Sequence, residues 1–220
     1  MKTRIQVVRN VLQANDKAAE QNRLRLDEAG ALALNLISAP GSGKTTLLEK
    51  SIPALGSDRC AVLVGDLQTS RDAERLASVT ERVVQINTGG GCHLSANQVS
   101  MGLERLALDG LEFLFIENVG NMVCPVSFDL GEHLRVALLS VPEGDDKVAK
   151  YPTLFQTADC VVLNKKDLVD VLEFDVSRVR EDLARVNSAV PFLQLSTKTG
   201  EGFDQWVRWL RSLRRVKERG

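Results

Sequence analysis

The chain has 220 residues, of which 44% are hydrophobic, so it is long enough and apolar enough to fold around a full core. Its 28 basic and 29 acidic residues leave a net charge of -1, which gives no general attraction to nucleic acid or to an anionic membrane. No apolar run approaches the roughly 18 residues that span a bilayer, and no apolar segment follows the basic N-terminus as in a secretory signal. The sequence therefore predicts a single domain over residues 1–220, located in the cytoplasm, that binds neither nucleic acid nor membrane.

The predicted elements begin with a helix over residues 1–29, which Gly30 ends, before a core over residues 30–220. The predicted strands are residues 31–37, 60–64, 83–86, 111–116, 135–141, 160–163 and 192–195. The predicted helices are residues 45–55, 71–79, 94–108 and 176–186, with a last helix from about residue 203. Strands that are apolar at nearly every position suit a sheet buried on both faces. The alternation predicts an α/β fold, a mostly parallel sheet of about seven strands flanked by helices, with ligands at the strands' carboxyl ends.

Residues 38–45, SAPGSGKT, follow the first core strand and open a helix, which is the context that a phosphate-binding P-loop requires. Glycines there let successive backbone N–H groups face phosphate oxygens at the positive end of the helix dipole. Lys44 is predicted to reach the β- and γ-phosphates and Thr45 to ligate Mg²⁺. Ser38 stands where the pattern has its first glycine, and a small residue there still allows the tight turn. The predicted phosphate-binding residues are Gly41, Ser42, Gly43, Lys44, Thr45 and Thr46.

A second motif indicates which base the nucleotide carries. Residues 164–167, NKKD, end the apolar strand 160–163 and match the N-K-x-D pattern of guanine-binding proteins. The Asp carboxylate accepts from both N1–H and the exocyclic amine of guanine, whereas adenine offers the opposite polarity and loses about 1–3 kcal/mol or more. The segment after the last strand resembles a second base-reading loop. The predicted guanine-binding residues are Asn164, Lys165, Asp167, Ser196, Thr197 and Lys198.

Two acidic residues follow other strands, at positions where G domains hold carboxylates linked to Mg²⁺. Asp66 follows the strand 60–64, and Glu117 follows the strand 111–116. They are predicted to contact Mg²⁺ and to position the attacking water, and the N–H of Gly120 is predicted to sense the γ-phosphate. The alternative for each acid is an exposed loop residue. Lys44, Asp66 and Glu117 form the predicted catalytic set, and slow hydrolysis is expected because no arginine finger can be assigned.

The four cysteines form no CxxC pair, so free thiols are expected in a reducing compartment. Cys60 and Cys160 lie inside apolar strand runs and are predicted to be core residues. Cys92 with His93, and separately Cys124, leave the ends of core strands, and such a soft ligand set suits Ni²⁺ or Zn²⁺. Two thiols and one imidazole make an incomplete shell, and ordinary buried thiols remain an equally open interpretation.

Local context adds three expectations about these residues. Cys92 precedes a predicted helix N-terminus, which favours a lowered thiol pKa. His133, beside Glu132 in a polar stretch, is predicted to be a structural or surface residue rather than a ligand. Gly120 and Cys124 are four residues apart, at most about 14 Å even in an extended chain. A shift of the phosphate sensor should therefore be felt at the thiol, with a typical coupling of about 1–3 kcal/mol.

Taken together, the motifs resemble the HypB family, the GTPases that handle nickel in hydrogenase maturation. The matching segments are Asn15-Asp16, Asn22-Arg23, residues 38–46, Gly65-Asp66, residues 72–75, Cys92-His93-Leu94, residues 117–121, Cys124-Pro125, Gly131-Glu132-His133 and residues 143–147. The resemblance covers nearly the whole chain, from about residue 5 to 210. It implies a P-loop NTPase G domain of the SIMIBI class that dimerises with GTP bound. It also implies a metal site at the dimer face, built from Cys92, His93 and Cys124.

The function that the resemblance implies is a GTP-hydrolysing nickel metallochaperone for [NiFe]-hydrogenase, in which GTP state and dimerisation control metal binding and release. Its implied cofactors are GTP or GDP, Mg²⁺, and Ni²⁺ or Zn²⁺. Its implied partners are a second copy of the chain, a HypA-like zinc and nickel accessory protein and the hydrogenase large subunit. Many members carry an N-terminal CxxCGC motif or a histidine-rich tract, and this sequence shows neither. Only the G-domain site is therefore expected to take metal.

Three alternatives stay open at this point. The urease accessory GTPase UreG has similar nucleotide motifs and a Cys-Pro-His motif, but here Val126 follows Cys124-Pro125, and Cys92-His93 is an additional pair. A metal-buffering protein in which the nucleotide is only structural is the second alternative. The third is a scaffold that acts through the arginine-rich last helix, whose basic residues are also explained as a solvated face at the negative end of the helix dipole.

Overall fold

The computed structural model describes residues 2–66 and 71–217, and the side chains of residues 12–66 and 71–214. The strands are β1 Leu32–Ser38, β2 Cys60–Asp66, β3 Val83–Asn87, β4 Phe113–Glu117, β5 Leu134–Ser140, β6 Cys160–Asn164 and β7 Phe192–Gln194. The α-helices are α1 Lys2–Glu28, α2 Lys44–Leu55, α3 Arg71–Ala77, α4 Ala96–Leu103, α5 Lys147–Lys150, α6 Pro152–Gln156, α7 Val176–Val186 and α8 Phe203–Lys217. Every predicted strand and helix is present, with most ends shifted by one or two residues.

The seven strands form one sheet in the order β3-β2-β4-β1-β5-β6-β7, and every neighbouring pair is parallel. This confirms the predicted parallel α/β architecture. Because β1 lies between β4 and β5, the segments that leave the carboxyl ends of β1 and β4 are neighbours, and β2 lies beside β4. The crevice of such a sheet forms where the strand order reverses, which here places the predicted phosphate-binding segment next to the acidic and cysteine-bearing segments.

The strands are apolar at most positions because helices cover both faces of the sheet. All residues of β1, β4 and β6 are buried. On one face α8 packs near α2, where the fully buried Trp206 donates from Nε1 to Ser51 Oγ at 2.8 Å. The other face carries α1 and α4, which pack against each other.

Helix α4 is shorter than the predicted 94–108 at both ends. Ser95 caps its start, since Ser95 Oγ accepts from the N–H of Gln98 and the Gln98 side chain accepts from the N–H of Ser95. After Leu103 the chain continues as turns rather than as helix. The apolar periodicity of this stretch extends beyond the helix because Leu106 is also buried against the core.

Three basic residues of α8 whose side chains are described make specific contacts. Arg208 pairs with Asp204 one turn earlier, Arg211 donates to the carbonyl of Ala54, and Arg214 donates to the carbonyl of Gly30. Arg219 lies outside the described residues. These contacts support the interpretation of α8 as a packed helix with solvated cations. Among residues 2–66 and 71–217, no helix combines the length and the apolar composition needed to cross a bilayer.

Candidate nucleotide site and metal-ligand cluster

The P-loop, residues 38–45, connects the end of β1 to the start of α2. Gly41 and Gly43 have φ angles of 74° and 100°, in the left-handed region that side-chain-bearing residues rarely adopt. A side chain on Gly43 would also place its Cβ 2.5 Å from Asn164 Nδ2. The loop borders a cavity of about 410 Å³, lined by Pro40, Gly41, Gly43, Lys44, Thr45, Thr46, Gly65, Asp66, Asp72, Arg75, Glu117, Asn118, Val119 and Gly120.

Lys44 lies at the wall of this cavity with only 8% of its surface exposed. Its Nζ donates to Ser38 Oγ at 2.9 Å, and Ser42 Oγ donates to the same oxygen at 2.6 Å. Ser38, in place of the first glycine of the motif, thus gives the ammonium group a polar partner. Burial lowers the pKa of Lys44, while the nearby Glu117 carboxyl opposes that shift.

Glu117 is the buried acid of the cavity, with 4% exposure. Its Oε1 accepts from Thr45 Oγ1 at 2.7 Å, whereas its buried Oε2 has no hydrogen-bond partner among the described residues. Burial raises the pKa of Glu117 to about 7, although the hydrogen bond from Thr45 and the charge of Lys44 act in the opposite direction. An orphaned carboxylate oxygen in a cavity that Asp66 also lines fits a hard cation and its bound water, because Mg²⁺ takes oxygen ligands.

Two further charged residues of the cavity were not predicted from the sequence. Asp72 and Arg75 lie on α3 and line the cavity beside Asp66. The Arg75 guanidinium donates to Glu49 Oε1 at 2.9 Å and to Thr46 Oγ1 at 2.9 Å. Their signal in the sequence is their position in the first helix after the strand that carries Asp66.

The loop after β4 lies directly against the P-loop. A Cβ on Gly120 would lie 2.9 Å from Pro40 Cα and 3.0 Å from Pro40 N, so only glycine permits this approach. The predicted phosphate sensor is therefore in contact with the phosphate-binding loop, and a displacement of one loop must move the other.

The predicted base-reading residues also converge on the P-loop. Asn164 Nδ2 donates to the carbonyl of Ser42 at 2.9 Å, and its Oδ1 accepts from Thr197 N at 3.1 Å. Lys165 adopts a φ of 59°, and its Nζ donates to the carbonyl of Gly41 at 2.7 Å. The left-handed backbone at Lys165 directs the Lys165 side chain across the P-loop.

The second base-reading segment is held to the first by a hydroxyl. Ser196 Oγ donates to Asp167 Oδ1 at 2.6 Å, and the same oxygen accepts from the N–H of Lys198 at 3.2 Å. The Asp167 carboxylate is therefore held in a fixed orientation by the loop after β7, and it can accept from a further donor.

The soft ligands lie on two loops that meet at the same edge of the sheet. Residues 88–95 form the Cys92 loop, between β3 and α4, and residues 118–133 form the Cys124 loop, between β4 and β5. The ligand atoms of Cys92, His93 and Cys124 all lie within 4.8 Å of one another, the one such group of three among the described residues. His93 stacks on Phe128 with ring centroids 3.9 Å apart. Two thiols and an imidazole at this separation can chelate Ni²⁺ or Zn²⁺.

The expectation of a lowered pKa for Cys92 is wrong. The hydrogen bond between the two thiols, Cys92 and Cys124, raises the pKa of Cys92. The helix begins at Ala96 rather than at residue 94 and Ser95 caps it, so the thiol lies away from the dipole. Burial lowers the pKa of His93, which favours the neutral imidazole that metals bind.

The remaining cysteines and His133 behave as predicted. Cys60 and Cys160 are fully buried in β2 and β6, and burial raises the pKa of Cys60 to about 12. His133 Nδ1 accepts from the N–H of Ala33 at 2.9 Å, and its Nε2 lies 3.0 Å from Asp27 Oδ1. His133 thus anchors the end of α1 to the first strand and is not a member of the metal-ligand cluster.

The parallel sheet, the glycine cradle and the buried lysine define a P-loop nucleotide-binding protein. Residues 32–194 match the family model described as "CobW/HypB/UreG, nucleotide-binding domain". The chain is 47% identical to the hydrogenase maturation factor HypB of Azotobacter chroococcum mcd 1, across 98% of this chain and 71% of that protein. It is 41% identical to the probable hydrogenase maturation factor HypB of Methanocaldococcus jannaschii, across 97% of both chains.

Among solved structures, HypB from Helicobacter pylori, crystallised in complex with nickel, superposes with a TM-score of 0.87 at 42% identity, covering 92% of this chain and 96% of that one. The chain belongs to the HypB family, within the CobW/HypB/UreG group of nucleotide-binding domains. Membership in HypB rather than UreG agrees with the paired Cys92-His93, which lies beside Cys124 in the structure.

Proposed function

We propose that this chain binds and slowly hydrolyses GTP, and that the nucleotide state controls the binding and release of nickel during [NiFe]-hydrogenase maturation. The observation that carries the proposal is the contact between the two sites. Asn118, which lines the nucleotide cavity, accepts at its Oδ1 from the backbone N–H of Leu94, the neighbour of His93, at 3.2 Å. The relatives named above are hydrogenase maturation factors, and the Helicobacter pylori structure holds nickel.

In the proposed nucleotide site, backbone N–H groups of the P-loop bind the phosphates, and Lys44 exchanges its bond to Ser38 for the β- and γ-phosphate oxygens. Thr45 and Asp66 would hold Mg²⁺, which neutralises phosphate charge when bound. Gly120 senses the γ-phosphate through its N–H, next to Pro40. The phosphate-binding set is Gly41, Ser42, Gly43, Lys44, Thr45, Thr46 and Gly120.

Guanine selection is assigned to the loops after β6 and β7. The Asp167 carboxylate, which Ser196 orients, accepts from the N1–H and the exocyclic amine of guanine, while adenine would leave it unpaired. The stem of Lys165 lies along the base and packs on it. The base-binding set is Asn164, Lys165, Asp167, Ser196, Thr197 and Lys198.

Hydrolysis requires a water molecule aligned with the γ-phosphate. The unpaired, buried Oε2 of Glu117 is the acceptor that orients this water, and the bond from Thr45 to Oε1 fixes the carboxyl plane. With a pKa of about 7, Glu117 is present at neutral pH both as the carboxylate and as the acid. The developing charge is stabilised by Lys44, and the expected intrinsic rate is slow.

Nickel is the cargo of the proposed reaction, and Cys92, His93 and Cys124 are its ligands. The two thiols release protons on binding, so nickel affinity rises with pH. Three protein ligands leave one coordination position open. A second copy of this chain supplies the ligand for that position in a GTP-dependent homodimer. A HypA-like accessory protein and the hydrogenase large subunit are the proposed donor and recipient, and Zn²⁺ is the alternative occupant.

Metal transfer tests this proposal against a buffering protein in which the nucleotide is only structural. The nickel-loaded protein is mixed with a chromophoric chelator, and nickel release is followed with GTP or with a non-hydrolysable analogue. GTP should give faster release as hydrolysis proceeds, and Lys44→Ala should abolish the difference. Lys50→Ala, on an exposed side chain of the same helix, is the matched control. If the natural sequence released nickel equally fast with GTP and with the analogue, the result would favour the metal-buffering protein.

A further inference from the structure

Two buried asparagines of α1 bind Ala96, the first residue of α4 at the end of the Cys92 loop, and the backbone of the Cys124 loop. Asn15 and Asn22 are 4% and 2% exposed. Asn15 Oδ1 accepts from the N–H of Ala96 at 2.9 Å, and its Nδ2 donates to the carbonyl of Asp129 at 2.7 Å. Asn22 Nδ2 donates to the carbonyls of Ala96 at 2.8 Å and Leu130 at 3.0 Å. Each side chain therefore joins the Cys92 loop, at its junction with α4, to the Cys124 loop.

The bound backbone groups lie close to the ligands along the chain. Ala96 follows His93 by three residues, and the side chain of Leu94 between them is fully buried. Asp129 is the neighbour of Phe128, whose ring stacks on His93 at 3.9 Å. A movement of either loop away from α1 would therefore change the separation of the ligands.

The chemistry and spacing of Asn15 and Asn22 suit residues that join two loops. An amide offers both donors and an acceptor, so one asparagine can bind an N–H on one loop and a carbonyl on the other. Asn15 and Asn22 are seven residues apart, about two helical turns, and so share one face of α1. No apolar residue could replace them without leaving buried backbone groups unpaired.

The Cys124 loop is also fitted closely to the same face of α1. Arg23 Nη2 donates to the two carboxylate oxygens of Asp129 at 2.7 and 2.8 Å. Gly131, at a φ of 89°, passes so close that a Cβ there would lie 2.6 Å from the carbonyl of Ala19. The loop therefore has little freedom to shift while α1 stays in place.

We propose that Asn15 and Asn22 are positioning residues of the metal site, which hold the Cys92 and Cys124 loops together before metal arrives. The proposal rests on the proposed nickel function. Chelation by ligands on two loops requires both loops to be ordered, and contacts that order them in advance increase affinity. Helix α1 is thus part of the metal centre, although it contributes no ligand to it.

Alanine variants at both positions test the proposal, with Arg25→Ala as the matched control. Arg25 also joins α1 to α4, through the carbonyl of Leu103 at 2.9 Å, but at the opposite end of α4. Asn15→Ala and Asn22→Ala should each weaken nickel binding about 10–100-fold, the usual effect of removing a residue that orients ligands. Affinity for GDP should change less than about twofold, and Arg25→Ala should bind nickel like the natural sequence. Equal nickel loss in Arg25→Ala, or none in the asparagine variants, would overturn the proposal.

A second measurement in metal-free protein separates this proposal from the nickel function. Cys92 and Cys124 should form a disulfide under oxidised dithiothreitol, and its rate reports how well the two loops are held together. The asparagine variants should form it several-fold more slowly than the natural sequence and Arg25→Ala. Unchanged rates would overturn the positioning role even if nickel binds, whereas slowed rates in a protein that ignores nickel would reject only the nickel function. Asn15→Asp keeps the acceptor for the Ala96 N–H but loses the donor to Asp129, so it replaces Asn15→Ala if that variant loses its native circular dichroism, and the same slowing is expected.

Discussion

The side-chain carbonyl of Asn118 accepts hydrogen bonds from the N–H of Leu94 at 3.2 Å and from the N–H of Val119 at 2.9 Å. Asn118 is 1% exposed, and its amide donates to Asn35 Oδ1 at 3.2 Å. One buried oxygen therefore binds two backbone N–H groups. One belongs to Leu94, which follows the metal ligand His93, and the other to Val119, which precedes the phosphate sensor Gly120. This contact is a direct physical connection between the two proposed sites.

Removal of that oxygen should uncouple the sites. In Asn118→Ala, the ratio of nickel affinities with a GTP analogue and with GDP should fall towards one, from the roughly 5–150-fold range typical of coupled sites. Stability should also fall by about 1–3 kcal/mol, because two N–H groups lose their acceptor. Calorimetric nickel titrations in each nucleotide state, with urea unfolding, measure both effects.

Asn97→Ala is the control for that variant, because Asn97 is an exposed asparagine on the neighbouring helix. Asn97→Ala should show the same ratio of nickel affinities in the two nucleotide states as the natural sequence. An Asn118→Ala protein that folds and retains full coupling would show that the communication runs elsewhere.

Replacement of the base-reading carboxylate should change nucleotide selection. Asp167→Asn loses an acceptor for the guanine N1–H and amine, which costs about 1–3 kcal/mol or more, or roughly 5–150-fold in GTP affinity. Xanthine carries a carbonyl in place of that amine, so the variant should bind XDP better than the natural sequence does. Fluorescent nucleotide displacement measures both. Asp170→Asn, on an exposed side chain in the same segment, should match the natural sequence, and equal GDP affinity in both variants would refute the assignment.

The raised pKa of Glu117 makes the stability of the nucleotide-free protein depend on pH. Its pKa is about 7 in the folded protein, against an ordinary value of 4.5. The folded state holds the proton more tightly than the unfolded state. The contribution of Glu117 to the free energy of unfolding is therefore fully present below about pH 4.5 and is lost as pH rises through about 7. Glu117→Gln keeps an acceptor for Thr45 but does not titrate, so it should remove this loss.

Urea unfolding in the presence of a chelator checks that prediction. The stabilisation by Glu117→Gln should be larger at pH 8 than at pH 5.5 by about 2 kcal/mol. Glu104→Gln, at an exposed position on the turn after α4, should show no such difference. A pH-independent effect of Glu117→Gln would mean that the carboxyl titrates normally.

Much of the fold was predictable because its signals are local. The buried strands are continuous apolar runs, and the P-loop requires glycines at fixed positions, so both can be read from neighbouring residues. The convergence of Cys92, His93 and Cys124 followed from parallel strands ending at one edge. The HypB resemblance supplied the implied dimer face and partners, which local patterns do not encode.

The features that sequence reasoning missed depend on contacts between distant segments. Asn15 and Asn22 appeared only as matching positions, because their partners near residues 96 and 130 lie more than 70 residues away along the chain. Arg75 reaches the cavity only through the packing of α3 beside α2. The pKa of Cys92 was expected in the wrong direction, since the helix starts later and a second thiol lies beside it.

The central claim, that phosphate state sets nickel affinity at a Cys92–His93–Cys124 site, is tested most directly by nickel titration with GDP and with a non-hydrolysable GTP analogue while molecular mass is followed. The natural sequence should show different affinities in the two states, and Cys124→Ser should lose tight binding in both. Cys160→Ala, which removes a core thiol of β6, should keep the difference. Nickel affinity that is equal in both states, or that Cys124→Ser leaves unchanged, would contradict the account.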